Sequence, residues 1–356
     1  ILAFMSAPAL SSSVERFLVP WTRLDWPIDW PRIFGRRAPL GLEVGFGNGE
    51  FLERLASQEP GLDWVGIEIS WASVQRVVKR AEASGLGNLR AVQGNGAFLL
   101  EELFPPGSLE RVFINHPDPW PKKRHYGRRL VQPAFLDLLA RRLVPGGEVT
   151  IVTDHADYAE WIAGVLEGQS ALAPALGATR VAELPGRTRT KYERKGVAAG
   201  SPIHYFVWRR EGYGGPEPAH MEKPDTMPNV MFEGLLTGPP LPTRLESCIR
   251  ETVHRGTRVI VQLGPVYRRA DAGDWLVEAR VQEGTFVQHL AISVSPRPEG
   301  RLLVKPAEIG FPRPTWGVKE AVRMAAGLIE ATQPRLTVHS SSVGEPERSE
   351  RDEYQR

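Results

Sequence analysis

Short apolar runs alternate with segments of helical periodicity in the first half of the chain. The apolar runs occupy residues 40–45, 64–69, 89–92, 111–115 and 148–153. The segments with apolar side chains at helical spacing occupy residues 49–57, 71–84 and 133–143. Strands that alternate with helices in this way predict an α/β domain, with a parallel sheet covered by helices on both faces.

A second pattern follows a stretch that is rich in proline. Residues 211–243 contain seven prolines and predict a linker. Alternating apolar stretches then occur at residues 258–263, 275–281, 286–294 and 302–304, before a helical pattern at 315–331. This predicts a small α+β domain. The predicted divisions are an irregular arm (1–37), an α/β domain (38–210), the linker (211–243), an α+β extension (244–334) and a disordered tail (335–356).

Composition narrows the class of protein. The chain has 356 residues, of which 42% are hydrophobic and 24% charged, as in ordinary globular proteins. It contains no run of about 18 apolar residues, so no membrane span is predicted. Its one cysteine excludes an intrachain disulfide and a cysteine-based metal cluster, and favours the cytoplasm. Its eight histidines show no zinc-ligand spacing, so we predict no metal.

The charge is nearly balanced overall but is unevenly distributed. The net charge is +2, yet residues 122–129 (KKRHYGRR) carry five cations and no acid. Residues 187–196 (RTRTKYERKG) carry five cations and one acid without apolar periodicity, which predicts a loop. Acid-poor basic runs suit a polyanion such as a nucleic acid, although a solvated surface loop has the same composition.

The motif LEVGFGNGE, residues 42–50, joins the first strand to its helix through a glycine-rich turn. Its G-x-G-x-G spacing after Glu43 suits a ligand with an amino-acid end, whereas G-x-G-x-x-G suits a pyrophosphate. Glu68 ends the second strand, where a carboxylate can accept hydrogen bonds from ribose hydroxyls. A nicotinamide cofactor and S-adenosylmethionine both satisfy this pair of acids.

Two further acids follow predicted strands. Asp118 stands between two prolines in NHPDPW, residues 115–120, directly before the basic run. Fixed φ angles make this segment rigid, and its acid and tryptophan could pair with and stack on a base. Asp154 ends the fifth strand, at the same sheet edge as Asp118. The alternatives are a structural turn for the first segment and a helix N-cap for Asp154.

The motifs LEVGFGNGE, WVGIE, PDPWPKKRH, VTD and TKYERKG, in this order over residues 38–210, resemble the bacterial tRNA (guanine-N7-)-methyltransferases. The resemblance is to the long form with a C-terminal extension. It implies a Rossmann-like class I methyltransferase sheet of seven strands, the last antiparallel, with helices on both faces. It also implies a cytoplasmic enzyme that transfers methyl from S-adenosyl-L-methionine to N7 of guanine 46 in the tRNA variable loop.

The resemblance assigns roles to particular residues. It implies cofactor contacts for Glu43, Gly45, Gly47, Gly49, Glu68, Asn95 and Asp118. Asp118 is also the expected catalytic residue. It implies tRNA contacts for Lys122, Asp154, Thr190, Lys191, Tyr192 and Glu193. The chain departs from the family pattern at Asn95, where the family has an acid, and at Asn115-His116, where an aromatic or apolar pair is usual.

Three alternatives remain open from the residues. The first alternative is another nucleic-acid N-methyltransferase, because Asn115-His116-Pro117 is faintly similar to the motif of class I enzymes that methylate amino nitrogens. A nicotinamide oxidoreductase is disfavoured by the glycine spacing and by the basic run. A non-catalytic RNA-binding protein would have no need of the glycine turn and its two acids.

Overall fold

The computed structural model describes residues 16–198, 200–212, 227–242, 245, 248–254, 256–269, 273–284, 286–307 and 312–344, without the side chains of Lys191 and Lys195. The chain divides into two compact units, Ile1–His220 and Met221–Arg356. In the described parts, no helix is both long and apolar enough to cross a membrane.

The first unit is built on a seven-stranded sheet. Its strands are β1 (Leu40–Val44), β2 (Asp63–Glu68), β3 (Leu89–Gln93), β4 (Leu109–Asn115), β5 (Leu143–Thr153), β6 (Leu172–Pro174) and β7 (His204–Arg210). They lie in the order β3-β2-β1-β4-β5-β7-β6. The first five are parallel and β7 is antiparallel to β5. The predicted α/β sheet is confirmed, and strand order reverses between β1 and β4, where such sheets bind ligands.

Seven helices belong to the described part of this unit. They are α1 (Trp30–Phe34), α2 (Glu50–Gln58), α3 (Trp71–Ala83), α4 (Gly96–Leu103), α5 (Pro133–Arg142), α6 (Ala156–Glu167) and α7 (Lys191–Ala198). Helices α2 and α3 pack on each other and on β2, while α4, α5 and α6 form a second packed group. The apolar stripe predicted for α3 is buried, at Val74, Val77, Val78 and Ala81.

The predicted arm is described from residue 16 onward and lies along β3. The amide of Val19 donates to the carbonyl of Ala91 at 2.9 Å, and the Trp21 indole donates to the carbonyl of Gln93 at 2.8 Å. Trp30 stacks on Phe104 with ring centroids 4.9 Å apart. These contacts fix the arm beside the carboxyl end of β3.

The second unit is an antiparallel sheet with one long helix. Its strands are β8 (Val230–Gly234), β9 (Ile249–His254), β10 (Thr257–Arg268), β11 (Trp275–Glu283), β12 (Phe286–Arg297), β13 (Arg301–Pro306) and β14 (Leu336–Ser341), in the order β14-β8-β13-β12-β11-β10-β9. Helix α8 (Trp316–Thr332) packs on the sheet through Val318, Val322 and Ile329. This is the α+β arrangement that the alternating pattern predicts.

The structure corrects two predicted boundaries and one predicted loop. Strand β8 lies in the predicted linker, because Val230 and Phe232 are buried in the core despite the surrounding prolines. Strand β14 lies in the predicted disordered tail. It pairs with β8 at the edge of the sheet, where only Leu336 is buried, so its sequence is polar. Residues 191–198 form helix α7, where we predicted a loop. Residues 213–226 of the linker lie outside the described residues.

Candidate active site

The glycine turn connects β1 to α2 at the point where strand order reverses. Gly45, Gly47 and Gly49 have φ angles of 76°, 55° and 75°, a region that L side chains rarely adopt. A Cβ added to Gly49 would lie 2.6 Å from Val77, so close packing of α3 also requires glycine there. Cβ atoms added to Gly45 or Gly47 would meet nothing within 4 Å. The turn therefore has open space above it for a ligand.

Glu68 holds this turn in place from the end of β2. Its carboxylate accepts from the amide of Gly47 at 2.9 Å and from the amide of Ser70 at 2.9 Å. Both are charge-assisted bonds, so the acid fixes the turn and the start of α3 together. Each carboxylate oxygen retains a further lone pair, so Glu68 can also accept from ribose hydroxyls.

Glu43 lies beneath the turn and is 1% exposed. Its Oε1 accepts from the Asn115 side-chain amide at 2.8 Å, while its buried Oε2 has no hydrogen-bond partner among the described residues. Burial raises the pKa of Glu43 to about 7, although the bond from Asn115 acts in the opposite direction. An unpaired, buried acceptor beside an open turn fits the ammonium group of an amino-acid ligand.

Asn95 lies at the carboxyl end of β3 and is exposed. Its side-chain oxygen accepts from the amide of Phe98 at 3.1 Å, so it is the N-cap of α4. The same oxygen has a second lone pair for an adenine amino group. Trp21 of the arm borders this end of β3 through its bond to Gln93.

The carboxyl ends of β4 and β5 bring His116 and Asp154 together. His116 has a φ of 48°, unusual outside glycine, and its Nδ1 lies 3.3 Å from Asp154 Oδ1. The His116 ring also lies 5.8 Å from the ring of Tyr192, which is 67% exposed. The alternative of an N-cap role for Asp154 is wrong, because His155 caps α6. Asp154 is half exposed at this edge.

Asp118 is exposed within a braced segment. Arg129, which is 3% exposed, donates from Nε to the carbonyl of Pro119 at 2.8 Å. Its guanidinium lies 3.6 Å from the ring centre of Tyr126 and 5.0 Å from those of Tyr158 and Trp161. Arg129 therefore supports the segment that carries Asp118.

The cations of the basic run differ in their exposure to solvent. Residues Lys123–Arg128 form a 3-10 helix, and the exposed cations are Lys122, Lys123, Arg124 and Arg128. Arg128 lies 5.1 Å from the ring centre of Trp120. Four cations beside Asp118 thus face solvent, which leaves them accessible to a polyanion, whereas the fifth is buried.

The TKYE segment begins α7 as a capping box. The Glu193 amide donates to Thr190 Oγ1 at 3.1 Å, and the Thr190 amide donates to Glu193 Oε2 at 2.7 Å. Thr190 and Glu193 are 8% and 0% exposed, so the structure places both inside the molecule. Tyr192 faces solvent between them. The spacing T-x-x-E is the sequence signal for this helix, and the dense charge of the segment obscured it.

Arg187 and Asn115 are the site residues that we did not predict. Arg187 Nε lies 3.1 Å from Glu193 Oε1, and its Nη2 donates to Asn115 Oδ1. Asn115 in turn donates to Glu43. Burial alone would raise the pKa of Glu193, but Arg187 and the bonds from Thr190 hold that pKa below its usual value. No spacing rule joins residues 72 positions apart, so only the fold brings them together.

A separate cavity of about 340 Å³ lies beside Phe113, Thr150 and Val207, on one face of β4, β5 and β7. None of the predicted site residues lines it, although Arg187 does. Most of the predicted residues instead lie at or after the carboxyl ends of β1 to β5, and Tyr192 and Glu193 approach this edge through His116 and Arg187. The side chain of Lys191 lies outside the described part.

The strand order, the antiparallel β7, the glycine turn and its two acids define a class I S-adenosylmethionine-dependent methyltransferase. A family model described as "Putative methyltransferase" matches residues 37–206. Three relatives are each named tRNA (guanine-N(7)-)-methyltransferase. The chain belongs to that family.

The relative from Halorhodospira halophila is 45% identical over 51% of this chain and 79% of its own length. The one from Mycobacterium avium is 41% identical over 52% and 71%. The relative from Thermotoga maritima is 34% identical over 299 residues, which cover 84% of this chain and 91% of that protein. This last alignment is too long for the first unit alone, so it extends into the second. A solved 16S rRNA methyltransferase, KamB, matches half of the chain at 17% identity with a TM-score of 0.40, too weak a likeness to carry an argument.

Proposed function

We propose that the chain transfers a methyl group from S-adenosylmethionine to N7 of a guanine in tRNA, at position 46 of the variable loop. The observation that carries this is the group of exposed cations at residues 122–124, next to Asp118, at the edge that holds the glycine turn. A phosphate-binding surface there would bring a nucleotide to the cofactor. The names of the relatives support guanine N7 as the target.

The residues present fit the cofactor. Glu43 Oε2 would accept from its ammonium group, the turn at residues 45–49 would receive its amino-acid end, and Glu68 would accept from its ribose. Asn95 Oδ1 would accept from the adenine amino group. When bound, S-adenosylmethionine supplies a methyl group on a positively charged sulfur.

Guanine N7 carries a lone pair in the neutral base, so the chain needs no group to remove a proton from it. Its residues then contribute alignment and charge. Asp118, exposed on its braced segment, would accept from guanine N1–H and N2–H₂ and stabilise the positive charge that the methylated ring acquires. Adenine presents no such pair of donors, so this contact would also select guanine.

Outside the reacting centre, the surface is suited to holding RNA. Lys122 and its neighbours would contact phosphates, and Tyr192 presents an exposed ring 5.8 Å from His116, on which a base could stack. We also propose that the activity is cytoplasmic, in line with the single cysteine of the chain.

Mass spectrometry of nucleosides tests the proposal. An unmodified tRNA transcript with guanine at position 46, and a matched transcript with adenine there, are incubated with the chain and methyl-labelled S-adenosylmethionine. We expect labelled 7-methylguanosine from the first transcript and none from the second. A label on another base atom would indicate a different N-methyltransferase, and tRNA binding without any label would indicate a non-catalytic RNA-binding protein.

A further inference from the structure

Arg187 lies in an apolar environment that is unusual for a cation. Its side chain is 5% exposed, and its guanidinium carbon lies 4.8, 5.6 and 5.8 Å from the ring centres of Phe51, Phe113 and Tyr205. Removing a guanidinium from water is costly unless it is paired. The aromatic faces offset part of that cost, and the remainder depends on its polar partners.

Those partners connect two parts of the site. On one side, Arg187 pairs with Glu193, at the start of α7. On the other, it donates to Asn115, which donates to Glu43 beneath the glycine turn. The result is an unbroken polar chain, Glu43–Asn115–Arg187–Glu193, in which both carboxylates are at most 1% exposed.

Arg187 is the cation that acts on both of these acids. It lowers the pKa of Glu43 and that of Glu193, against the burial that raises both. The other charges acting on Glu43 are carboxylates, Glu68 and Glu193, and these raise its pKa. Tyr205 completes the cluster, since burial and its bond to Glu193 raise the pKa of its phenol to about 12 and keep it a donor.

We propose that Arg187 is a positioning residue shared by the cofactor site and the RNA-facing helix α7. Through Asn115 it orients the Glu43 carboxylate for the ammonium group of the cofactor, and through Glu193 it fixes the first turn of α7. The proposal rests on the proposed function in one respect, namely that α7 presents Tyr192 to tRNA.

Coupling between the two ligands follows from this arrangement. Where Glu43 is ionised, an ammonium group beside it adds a second positive charge to the chain and offsets the repulsion between the Glu43 and Glu193 carboxylates. Occupancy of the cofactor site then strengthens the anchor of α7, and linkage requires that tRNA in turn strengthens cofactor binding. Loss of Arg187 leaves two buried carboxylates unpaired, which weakens both sites at once.

The variants Arg187→Gln, Arg187→Lys and Asn115→Ala separate the links. The first removes the charge, and the second keeps the charge but loses the fork of donors. Asn115→Ala disconnects Glu43 while leaving the Arg187–Glu193 pair intact. The matched control is Arg209→Gln, because Arg209 is a half-exposed arginine on β7 that pairs with the carboxylate of Glu148 on β5, outside the polar chain.

The readouts are the affinity for S-adenosylhomocysteine without tRNA, by calorimetry from pH 6 to 9, and the affinity for tRNA with and without saturating S-adenosylhomocysteine. In the wild type we expect S-adenosylhomocysteine to tighten tRNA binding by at least about fivefold. Arg187→Gln should weaken both ligands by at least about tenfold, abolish the coupling and move the pH midpoint of cofactor binding upward. Arg187→Lys should recover part of each effect.

Asn115→Ala is the more discriminating variant. It should weaken S-adenosylhomocysteine and abolish the coupling, while tRNA binding without S-adenosylhomocysteine stays at the wild-type level. Arg209→Gln should change none of these quantities. Because Asn115→Ala deletes only an amide, it carries the test if a circular-dichroism melt shows that Arg187→Gln does not fold.

Wild-type affinity for S-adenosylhomocysteine in Arg187→Gln, or coupling retained in Asn115→Ala, would overturn the proposal. So would a wild type whose tRNA affinity is the same with and without S-adenosylhomocysteine. Failure of the proposed function has a different signature, because the wild type would then form no 7-methylguanosine whatever its binding constants.

Discussion

The cofactor side and the RNA side of the site are built in opposite ways. On the cofactor side, Glu43 is buried and Glu68 accepts from two backbone amides, so the polar atoms are fixed before a ligand arrives. On the RNA side, Asp118 and the cations at residues 122–124 are exposed on a segment braced from behind by Arg129. We therefore expect a small ligand to be held by a preformed interior, and a large polyanion by an accessible surface on a rigid support.

The largest effect should come from the RNA side, at Asp118. Asp118→Asn keeps the shape of the side chain, but removes its charge and turns one acceptor into a donor. We expect the single-turnover rate of methyl transfer to fall by about 10²–10³, as when other electrostatic stabilisers are removed. The matched control is Asp157→Asn, an exposed acid in the first turn of α6, which should retain the wild-type rate. A near-wild-type rate in Asp118→Asn would make the segment a structural turn only.

The next effect is on the cofactor side, at Glu68. Glu68→Ala removes the acceptor of the Gly47 and Ser70 amides and of the ribose hydroxyls. Loss of charge-assisted bonds should weaken S-adenosylmethionine binding by about 1–3 kcal/mol, measured by calorimetry. Glu82→Ala, an exposed acid at the other end of α3, is the control. Equal affinities in the two variants would contradict the role given to Glu68.

The affinity for S-adenosylmethionine should depend on pH through Glu43, on the cofactor side. Burial raises the pKa of Glu43 to about 7, so its carboxyl is neutral at lower pH and cannot pair with an ammonium group. Binding the cation releases that proton, so the dissociation constant for S-adenosylmethionine should rise by about tenfold per pH unit below 7 and level off above it. Glu43→Gln should bind weakly and flatten this profile. A flat profile in the wild type would remove Glu43 from the cofactor site.

The smallest expected effect is on the salt dependence of tRNA affinity, which involves the RNA side alone. Replacing Lys122, Lys123 and Arg124 with alanine should reduce the slope of log affinity for tRNA against log salt, by about 0.7–0.9 for each phosphate that is no longer neutralised. The control replaces Arg32 and Arg37, two exposed cations ahead of β1 and thus at the opposite edge of the sheet. If both variants show the wild-type slope in filter binding, the basic run does not hold phosphates.

The sequence predicts the cofactor side better than the RNA side, for physical reasons. A glycine turn and the acid that ends the next strand are local, because each follows from a strand and its connection to a helix. Helix α7 was missed because its capping box, Thr190 with Glu193, lies among five cations that suggested a solvated loop. The sequence also did not predict which cations of the basic run are exposed, since Arg129 is buried while its neighbour Arg128 faces solvent.

The sequence alone did not predict the polar chain from Glu43 to Glu193. Asn115 stood out as a departure from the family pattern and as part of a faint resemblance to another methyltransferase motif, and Arg187 only as one cation of a basic stretch. Their contact joins the end of β4 to the segment before α7, 72 positions along the chain. Strands β8 and β14 were missed for a related reason, because β14 pairs with β8 and β8 pairs with β13, so both depend on partners distant in the sequence.

If the site methylates N7 of guanine by aligning its lone pair, a guanine analogue without that lone pair should bind but not react, and 7-deazaguanine is such an analogue. In this base a C–H group replaces N7, while N1–H, N2–H₂ and the backbone are retained. A tRNA with 7-deazaguanine at position 46 is compared with the guanine form in single-turnover reactions and in filter binding. We expect equal affinity for the two tRNAs and no methyl transfer to the 7-deazaguanine form. Methyl transfer to that form at the rate of the guanine form would contradict this expectation.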